Sequence, residues 1–472
     1  TLLLKQSETE NTLLRPRGSR KWVVTLRKHK TDRSMGELKV TLSLAVSKAL
    51  SKYIPKLKRD HFLALKNGDK MSKTSKKVVV TGTGYIGLPL AIMLARANYK
   101  VVGVDIDKNV VRAINNGELH IKEENLDKIL KDPDVRKNLI AQEDPCEGDI
   151  FVIAVPTPLH KRKKNADLTY VEDALFSILP FLKKGNLIII ESTIPPLTCK
   201  ELVAPLIEIN TKMKVGKDIY LAHCPERILP GDIFQEIVNN DRIIGGVNEK
   251  SSDLAAEMYS SFVKGKLYKT DNVIAETCKL MENTYRDVNI ALANELSLVS
   301  DILGINVNVA INLANKHPRV NLLRPGIGVG GHCIPIDPWF LTEVDPKNTF
   351  LISSARRVND SMPNLIARRV RIKLRDIKSP KIVAVGLAYK PNTHDFRGSP
   401  AIKVIKILKE EGYDIEDYDP LIDGKEYTTL SDITTDKDCL IVFVEHDEIM
   451  KDLKENKSVI LEKLKHKLII RF

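Results

Sequence analysis

The segment VVVTGTGYIG, residues 78–87, constrains the fold of this chain more than any other. An apolar, β-branched run precedes three glycines, and residues 88–97 continue with an apolar helical pattern. Gly82 permits a tight turn, Gly84 lets the backbone approach a phosphate, and Gly87 lets the helix pack closely on the strand. The N–H groups at the start of that helix then face an anion. The segment therefore predicts a strand–turn–helix unit that holds a dinucleotide.

A second strand, predicted at residues 100–104, ends in Asp105, which is 23 residues after Gly82. An acid at this point accepts hydrogen bonds from both ribose hydroxyls and disfavours a 2′-phosphate. NAD is therefore the predicted cofactor, although Lys108 slightly weakens the exclusion of the phosphorylated form. The alternative, a Gly-rich structural turn, does not account for a strand, a helix and an acid in register.

The order of strand and helix patterns predicts three domains after an N-terminal extension. Strands alternate with helices up to residue 268, which predicts βαβ units and a parallel sheet. Residues 271–303 form one long helical pattern with Asp271 as N-cap and Gly304 as stop signal. From residue 379 the α/β pattern returns. The predicted fold is α/β, with two Rossmann-like doubly wound domains, 71–268 and 379–472, joined by an all-helical domain, 269–378.

The positive charge of the chain lies in its first segment. Residues 1–77 contain 20 Lys and Arg against 6 Asp and Glu, whereas the remaining 395 residues contain 54 against 55. The net charge of +13 therefore says little about the globular body, and no nucleic-acid partner is predicted. Within the extension, Leu38–Ile54 fits an amphipathic helix and the rest of residues 1–70 fits poorly ordered loop. The open alternatives are a basic arm for nucleic acid or an acidic surface, and upstream sequence translated before a natural start at Met71.

Composition limits the compartment. No apolar run approaches the roughly 18–20 residues that span a bilayer, and the first residues lack a secretory signal pattern. The six cysteines are scattered without a CxxC pair, so neither disulfides nor a metal site are predicted. We expect a cytoplasmic protein with no membrane association.

Cys333 stands apart from the other five cysteines, which fit inert buried thiols. It lies in GVGGHCIPIDPW, residues 328–339, where three of the five preceding residues are Gly. Neighbouring dipoles and cations in such a setting are expected to lower the pKa of the thiol and produce a thiolate. A thiol beside a nicotinamide site can hold an aldehyde covalently while a second hydride leaves.

Three polar residues of the long helix share one face: Lys279, Asn283 and Arg286. A solvated stripe would explain them on an ordinary helix. This helix is apolar on most of its other sides, so the stripe favours a ligand-binding role.

These residues together resemble the UDP-glucose/GDP-mannose dehydrogenase family of nucleotide-sugar 6-dehydrogenases over about residues 76–470. The motifs that carry the resemblance are TGTGYIGLPLA, VPTP (155–158), ESTIPP (191–196), CPERILPG (224–231), ETCKLMENTYRDVNIALANE (276–295), HPRV (317–320), PGIGVGGHCIPIDPWF (325–340), ARRVND (355–360), GLAYKPNTHDFRGSP (386–400) and DYDP (417–420). The resemblance implies an NAD-binding domain, a central dimerisation domain and a C-terminal UDP-binding domain.

The resemblance also implies roles for individual residues. Cys333 matches the nucleophile, Lys279 the acid/base and oxyanion-stabilising residue, Asp337 the acid that positions water, and Glu226 a carboxylate implicated in thioester hydrolysis. Positions that match sugar-nucleotide contacts are Arg227, Ile228, Lys279, Asn283, Arg286, His317, Arg319, Gly330, Tyr389 and Lys390. Positions that match NAD contacts, besides the three glycines Gly82, Gly84 and Gly87, are Tyr85, Ile86, Asp105, Thr157, Thr193 and Arg397. His317 and Arg319 are expected to serve the site of a partner subunit in a homodimer or a higher homo-oligomer.

The implied activity is the four-electron, NAD-dependent oxidation of a UDP-sugar C6 hydroxyl to a uronate for polysaccharide or glycan precursors. HPRV, GGHC and DPWF resemble the branch that acts on UDP-N-acetyl-D-mannosamine; UDP-glucose and UDP-N-acetylglucosamine are the alternatives. Three departures from the family pattern are Val110 in place of a basic residue, PPLT (195–198) in place of PPGT, and the terminal IIRF.

Two other classes of protein share part of this pattern. A two-electron hydroxyacid dehydrogenase shares the NAD fold and a catalytic Lys but does not need a Cys in GGHC. A non-catalytic NAD or sugar-nucleotide sensor, with residues 1–70 as its partner-binding arm, does not need Cys333, Lys279 and Asp337 together.

Overall fold

The computed structural model of the chain divides it into two units, Thr1–Thr74 and Ser75–Phe472. The residues that the structure describes are 2–6, 10–16, 22–28, 38–42, 76–121, 123, 126–160, 163–228, 232–422 and 429–472.

The described part of the first unit is an antiparallel sheet in the order β1-β2-β3-β4. Its strands are β1 (Leu2–Gln6), β2 (Glu10–Pro16), β3 (Trp22–Lys28) and β4 (Leu38–Leu42). The prediction of loop is wrong for these residues, and the helix predicted at Leu38–Ile54 is wrong for Leu38–Leu42; residues 43–54 lie outside the described part. β-branched residues in segments such as WVVTLRK favour strands, but the many basic residues obscured that pattern.

The second unit begins with a sheet in the order β12-β11-β10-β9-β8-β5-β6-β7. Its strands are β5 (Lys77–Thr81), β6 (Lys100–Val104), β7 (Leu139–Gln142), β8 (Ile150–Ile153), β9 (Leu187–Ile190), β10 (Tyr220–His223), β11 (Arg242–Gly246) and β12 (Leu267–Asp271). The predicted all-parallel arrangement holds except that β10 and β11 pair antiparallel, because alternation of strands and helices does not by itself fix strand direction. β7 and β12 were not predicted.

Helices cover both faces of this sheet, so it is doubly wound. They are α1 (Gly87–Arg96), α2 (Lys108–Asn116), α3 (Leu126–Leu130), α4 (Pro133–Asn138), α5 (Thr169–Ile178), α6 (Ala204–Thr211), α7 (Ile233–Asn239) and α8 (Glu249–Tyr259), with a 3₁₀ turn at Leu179–Phe181 and a π-helical turn at Cys199–Val203. α1 and α8 contribute to the core on one face, whereas α5 and α6 contribute to the core on the other.

Four helices follow: α9 (Asn272–Leu303), α10 (Val307–Ala314), α11 (Asp337–Val344) and α12 (Phe350–Leu374). The predicted caps of the long helix α9 are confirmed. The Asp271 side chain accepts from the Val273 amide at 2.8 Å, and Gly304 has φ 65°. The helix α9 is 32 residues long and packs both against β11 of the first sheet and against α12, the helix that precedes the second sheet.

The second sheet has the parallel order β14-β13-β15-β16. Its strands are β13 (Lys381–Val385), β14 (Asp414–Tyr418), β15 (Cys439–Val442) and β16 (Leu468–Arg471), and its helices are α13 (Pro400–Glu410), α14 (Leu430–Ile433), α15 (Asp447–Glu455) and α16 (Lys457–Lys463). Cores on both faces confirm the second Rossmann-like sheet. None of the helices described here combines the length and apolar character that a membrane span requires.

Candidate active site

A cleft of about 2920 Å³ lies at the carboxyl ends of strands β5, β6, β8 and β9. Residues 328–337, residues 389–397 and one face of α9 contribute its other walls. From β5 the chain continues to β6 and β7 on one side of the sheet and then returns to β8 on the other side of β5. Such a switch point leaves a crevice at the carboxyl ends of the strands, in which α/β proteins bind ligands.

The three glycines after β5 each meet a different spatial demand. Gly82 has φ 88°, and a Cβ there would lie 2.5 Å from the Ala154 carbonyl oxygen. A Cβ on Gly87 would lie 1.8 Å from the carbonyl oxygen of Gly82, so α1 packs directly on the turn. A Cβ on Gly84 would meet no atom within 4 Å, and Gly84 lines the cleft. The open space above Gly84, beside the N-terminus of α1, fits a pyrophosphate.

Asp105 follows β6 and lines the same end of the cleft. Its Oδ2 accepts from the Thr83 amide at 3.0 Å and from the Thr83 hydroxyl at 2.9 Å, and its Oδ1 accepts from the Asp107 amide at 3.0 Å. The carboxylate is thereby oriented and keeps acceptor capacity for ribose hydroxyls. The other predicted NAD contacts that line the cleft are Tyr85, Ile86, Thr157, Thr193 and Arg397. The residues present therefore fit NAD.

Cys333 lies in the turn that leads into α11. Its carbonyl oxygen accepts from the amides of Ile336 at 3.0 Å and of Asp337 at 2.9 Å. The residue is exposed to the cleft, but the surrounding walls exclude enough water that burial raises the pKa of its thiol. Asp337 raises that pKa further, while Lys279 and Arg286 lower it. The predicted thiolate is wrong for the ligand-free chain, because desolvation outweighs the nearby cations.

The predicted polar face of α9 is confirmed as a unit beside Cys333. Lys279 and Arg286 line the cleft, whereas Asn283 is fully buried behind them. The Asn283 amide donates to Oδ2 of Asp337, and the Arg286 guanidinium donates to Oδ1 of Asn283. Burial raises the pKa of Asp337 to about 6, against the opposing effects of Lys279, Asn283 and Arg286.

Glu226 follows β10 and is buried at the floor of the cleft. Its Oε1 accepts from the amides of Arg227 at 2.7 Å and of Ile228 at 3.2 Å, and its Oε2 accepts from the Arg242 guanidinium. Neither Arg242 nor its second partner, Glu191, was predicted as a site residue. A charged residue at the end of a buried strand is the signal that could have identified them: Arg242 starts β11, and Glu191 directly follows β9.

The loop after β13 forms the opposite wall, to which Tyr389, Lys390 and Arg397 belong. Both guanidinium bonds of Arg397 go to Asp395, at 2.9 and 2.8 Å. A Cβ on Gly330 would lie 2.8 Å from the Cβ of Tyr389, so the glycine allows the Cys333 loop to pack on this wall. The Cys333 loop and the loop after β13 therefore fix each other's position.

Two predicted sugar-nucleotide contacts, His317 and Arg319, do not reach the cleft. Both are exposed on the segment after α10, and neither lines the cavity. The cleft of one chain thus brings together the predicted catalytic residues and most of the predicted sugar-nucleotide contacts. The exceptions are His317, Arg319 and the buried Asn283.

A dinucleotide turn, a second Rossmann-like sheet and a cysteine loop around one cleft define a nucleotide-dependent oxidoreductase. Three models of the UDP-glucose/GDP-mannose dehydrogenase family match the chain: the NAD binding domain at residues 76–263, the central domain at 273–361 and the UDP binding domain at 383–471. The chain belongs to this family, and its cofactor is NAD.

Named relatives support this assignment. UDP-N-acetyl-D-mannosamine dehydrogenase of Methanococcus maripaludis is 49% identical over 401 residues, which cover 84% of this chain and 92% of the relative. The NDP-N-acetyl-D-galactosaminuronic acid dehydrogenase of Ralstonia solanacearum is 41% identical over 390 residues, 80% of this chain and 92% of the relative. The solved UDP-D-ManNAc dehydrogenase of Pyrococcus horikoshii is 42% identical with a TM-score of 0.78, covering 84% of this chain and 94% of that one.

Proposed function

We propose that this chain oxidises the C6 hydroxyl of UDP-N-acetyl-D-mannosamine to the uronate in two NAD-dependent steps, as a UDP-N-acetyl-D-mannosamine 6-dehydrogenase. The observation that carries the proposal is the convergence of Cys333, Lys279 and Asp337 on the cleft that contains the dinucleotide turn. The choice of sugar is supported by the 49% identical relative of that name. The product is a precursor for polysaccharide or glycan synthesis.

In the first oxidation the chain supplies positioning and proton transfer. Lys279 and Asp337 order a water molecule that takes the proton of the C6 hydroxyl. The pKa of Asp337, which burial raises to about 6, suits a carboxylate that exchanges a proton near neutral pH. NAD, when bound, supplies the chemistry of hydride acceptance in both oxidations.

The aldehyde is then held by Cys333. Its Sγ forms a bond to the aldehyde carbon as the thiol proton passes to water, and the C=O π pair moves to the oxygen, where Lys279 stabilises the negative charge. Because burial raises the pKa of this thiol, proton loss accompanies attack rather than preceding it. Loss of a second hydride leaves a thioester, which water hydrolyses with help from Glu226 or Asp337. The covalent bond keeps the aldehyde from leaving the cleft.

The sugar nucleotide contacts proposed within one chain surround this reaction centre. Arg286, Arg227 and Lys390 supply positive charge toward the diphosphate, which complements its negative charge. Arg227 is already oriented by Glu282 at 2.6 Å. Ile228, Asn283, Gly330 and Tyr389 complete the set.

We also propose a homodimer in which His317 and Arg319 reach the site of the second copy. Four apolar residues are 45–57% exposed along one face of α9: Met281, Tyr285, Leu292 and Val299. A contiguous apolar stripe of this kind favours burial against another protein surface. Measurement of the native mass by light scattering tests this, with Leu292→Glu expected to yield monomer; a monomeric native protein contradicts it.

A cytoplasmic location is proposed from the thiols. All six cysteines, including the exposed Cys333, are free. A reactive thiol and five unpaired ones fit a reducing compartment.

The test is a substrate panel with two readouts. UDP-ManNAc is expected to release two NADH per sugar, faster than UDP-GlcNAc, UDP-glucose and UDP-GalNAc; a preference for another sugar reassigns the substrate. Cys333→Ser is expected to stop after the first oxidation or to trap an adduct. Full two-NADH turnover by Cys333→Ser would sink the covalent scheme. Binding without NADH release from any of the four sugars would instead support the sensor.

A further inference from the structure

Four polar side chains lie buried together beside the cleft: Glu191, Glu226, Arg242 and Tyr259, here called the buried quartet. Of these, Glu191 and Glu226 line the cleft. One nitrogen of Arg242 donates to Oε1 of Glu191 at 3.1 Å, and another donates to Oε2 of Glu226. The Tyr259 hydroxyl also donates to Oε1 of Glu191, at 3.1 Å, and the Arg242 guanidinium lies 4.7 Å from the centre of the Tyr259 ring. Arg242 therefore links the two carboxylates.

The charges of the buried quartet do not balance when both carboxylates are ionised. Two carboxylates share one guanidinium, and the exposed fractions of Glu191, Arg242 and Glu226 are 2%, 4% and 9%. A site with little water disfavours a net charge. The quartet is therefore poised to hold one additional proton, which makes it neutral.

The structure indicates where that proton resides. Both oxygens of Glu226 already accept bonds, from two backbone amides and from Arg242. Oε2 of Glu191 is buried and has no hydrogen-bond partner among the described residues. Burial raises the pKa of Glu191 to about 7; Arg242 opposes this rise and Glu226 adds to it. The unpartnered oxygen and the raised pKa of Glu191 both point to it as the member of the quartet that takes up the additional proton.

Other titratable groups that face Glu191 do not supply a competing charge. Cys224, which follows β10, and Tyr259, on α8, both have pKa values raised by burial, so both are neutral when Glu191 titrates. The charged groups that face it are Arg242, from β11, and Glu226.

We propose that Glu191 is a positioning residue for thioester hydrolysis: through Arg242, its charge sets how readily Glu226 takes the proton of the attacking water. When Glu191 is ionised, Arg242 is shared between two anions and Glu226 accepts a proton more readily. When Glu191 is protonated, Arg242 compensates Glu226 alone, and adding a proton to Glu226 becomes less favourable. The inference rests on the proposed function, in which Glu226 is one candidate base.

The step itself needs no reagent beyond water. The water oxygen forms a bond to the thioester carbonyl carbon, and one water proton passes to Glu226. The C–S bond breaks, and its electron pair stays on Sγ of Cys333. The proton on Glu226 then passes to solvent or to the thiolate, which restores the free enzyme and the uronate.

The experiment compares four forms of the full-length protein between pH 5.5 and 8.5. Uronate release is measured by rapid quench, and acylation of Cys333 is measured by intact mass. In the wild type, release is expected to rise through about pH 7. In Glu191→Gln the rise near pH 7 is expected to disappear, release at pH 8 to fall about tenfold, and the acylated form to accumulate.

Tyr259→Phe and Asp287→Asn are the matched variants. The hydroxyl of Tyr259 stabilises ionised Glu191, so Tyr259→Phe is expected to move the rise to higher pH, and this result decides the question if Glu191→Gln does not fold. Asp287 is another buried carboxylate paired with an arginine, Arg356, but it does not line the cleft. Asp287→Asn is expected to lower stability and to leave the rise near pH 7 unchanged.

Different results would overturn the proposed function and the proposed role of Glu191. A wild-type enzyme that does not oxidise the sugar nucleotide overturns the proposed function. A wild-type enzyme that does oxidise it, together with an unchanged pH profile and unchanged acylation in Glu191→Gln, overturns only the role of Glu191.

Discussion

The two Rossmann-like sheets have the same glycine turn after their first strand, but the acids that face the two turns have different surroundings. Gly82 follows β5 with φ 88°, and Gly386 follows β13 with φ 80°. A Cβ on either would lie within 2.5 Å of a carbonyl oxygen, that of Ala154 or that of Val444. Each glycine also donates its amide to the end of the neighbouring strand, at 2.8 Å in the first sheet and 3.1 Å in the second. The backbone at these two points is thus nearly equivalent.

The acids after the second strands show the difference. Asp105 is only partly buried and lines the cleft. Asp419 is 2% exposed and accepts from the amides of Leu387 at 2.6 Å and Ala388 at 3.2 Å, and from His446 Nε2 at 3.1 Å. Burial opposes the charge on Asp419, but these bonds outweigh it and lower its pKa.

The difference shows that an acid at one topological position can either face an open cleft or hold a loop. In the first sheet α1 begins five residues after Gly82, so the acid faces a short turn and open space. In the second sheet α13 begins fourteen residues after Gly386. Asp419 and His446 fasten this longer loop, and the amide of Asn392 donates to His446 Nδ1 at 2.9 Å. The loop then carries Tyr389, Lys390 and Arg397 to the cleft.

The largest expected effect comes from removing the anchor of the second sheet. Asp419→Ala leaves two buried amides and the His446 ring without their acceptor, which is expected to lower the free energy of unfolding by about 3–5 kcal/mol. The KM for the sugar nucleotide is expected to rise more than the KM for NAD. Urea unfolding and steady-state kinetics measure both; a loss below about 1 kcal/mol contradicts the anchoring role.

The corresponding change in the first sheet is expected to affect binding rather than folding. Asp105→Asn removes a charged acceptor for ribose hydroxyls, worth about 1.5–3 kcal/mol, so the Kd for NADH is expected to rise about 10–100-fold. The unfolding free energy is expected to fall by only about 1 kcal/mol, because the amide oxygen still accepts from Thr83. NADH fluorescence titration tests this, and an unchanged Kd would show that Asp105, like Asp419, serves only the fold.

The pH dependence of two buried aspartates is expected to have opposite signs. Asp337 has a pKa raised from 3.8 to about 6, so the folded state binds its proton more tightly and stability falls as the pH rises from 4 to 6. As the pH rises from 4 to 7, the unfolding free energy of Asp337→Asn is therefore expected to increase by up to about 2–3 kcal/mol relative to that of the wild type. Thermal unfolding across this range measures the difference.

Asp419→Asn supplies the opposite case. Its lowered pKa contributes stability above pH 3.8 that is lost as the pH falls through the lower folded-state value. The loss of unfolding free energy in Asp419→Asn, relative to wild type, is expected to be largest at pH 7 and to become smaller below pH 3.8. Parallel pH trends for the two variants would contradict the contrast between a ligand-facing acid and an anchoring acid.

The smallest effect on folding is expected at the open glycine of the first turn. Gly84→Ala adds a methyl group that meets no atom within 4 Å, so stability is expected to change by less than about 0.5 kcal/mol. The KM for NAD is expected to rise severalfold, because the methyl group occupies space proposed for the pyrophosphate. A large loss of stability would show that this space is part of the fold.

Much of the fold follows from local pattern. The turn at Gly82, the caps of α9 and the second α/β region are each readable from residues adjacent in the chain. Strands β7 and β12 were not predicted. They are the two edge strands of the first sheet and are only partly buried, so they lack the continuous apolar run that marks its central strands. The sheet formed by β1, β2, β3 and β4 was not recognised because of the many basic residues in this segment. The antiparallel pairing of β10 with β11 depends on partners that no local pattern specifies.

Within the site, the sequence identified the chemical groups but not their protonation states. Cys333, Lys279, Asp337 and Glu226 were all named from their motifs, and the cleft brings them together. The thiol was expected to be acidic, yet burial raises its pKa. Desolvation depends on walls formed by segments far apart in the sequence, so it could not be read from the residues around the cysteine.

The sequence by itself determined the two Rossmann-like units, the NAD-binding turn and the cysteine proposed as the nucleophile, because glycine turns, strand ends and helix caps are set by neighbouring residues. The tertiary structure decided what the charged groups do. It made Asp105 open to a ligand and Asp419 an anchor, and it joined Glu191 to Glu226 through Arg242. These outcomes depend on burial and on partners from distant strands, which a linear pattern does not contain.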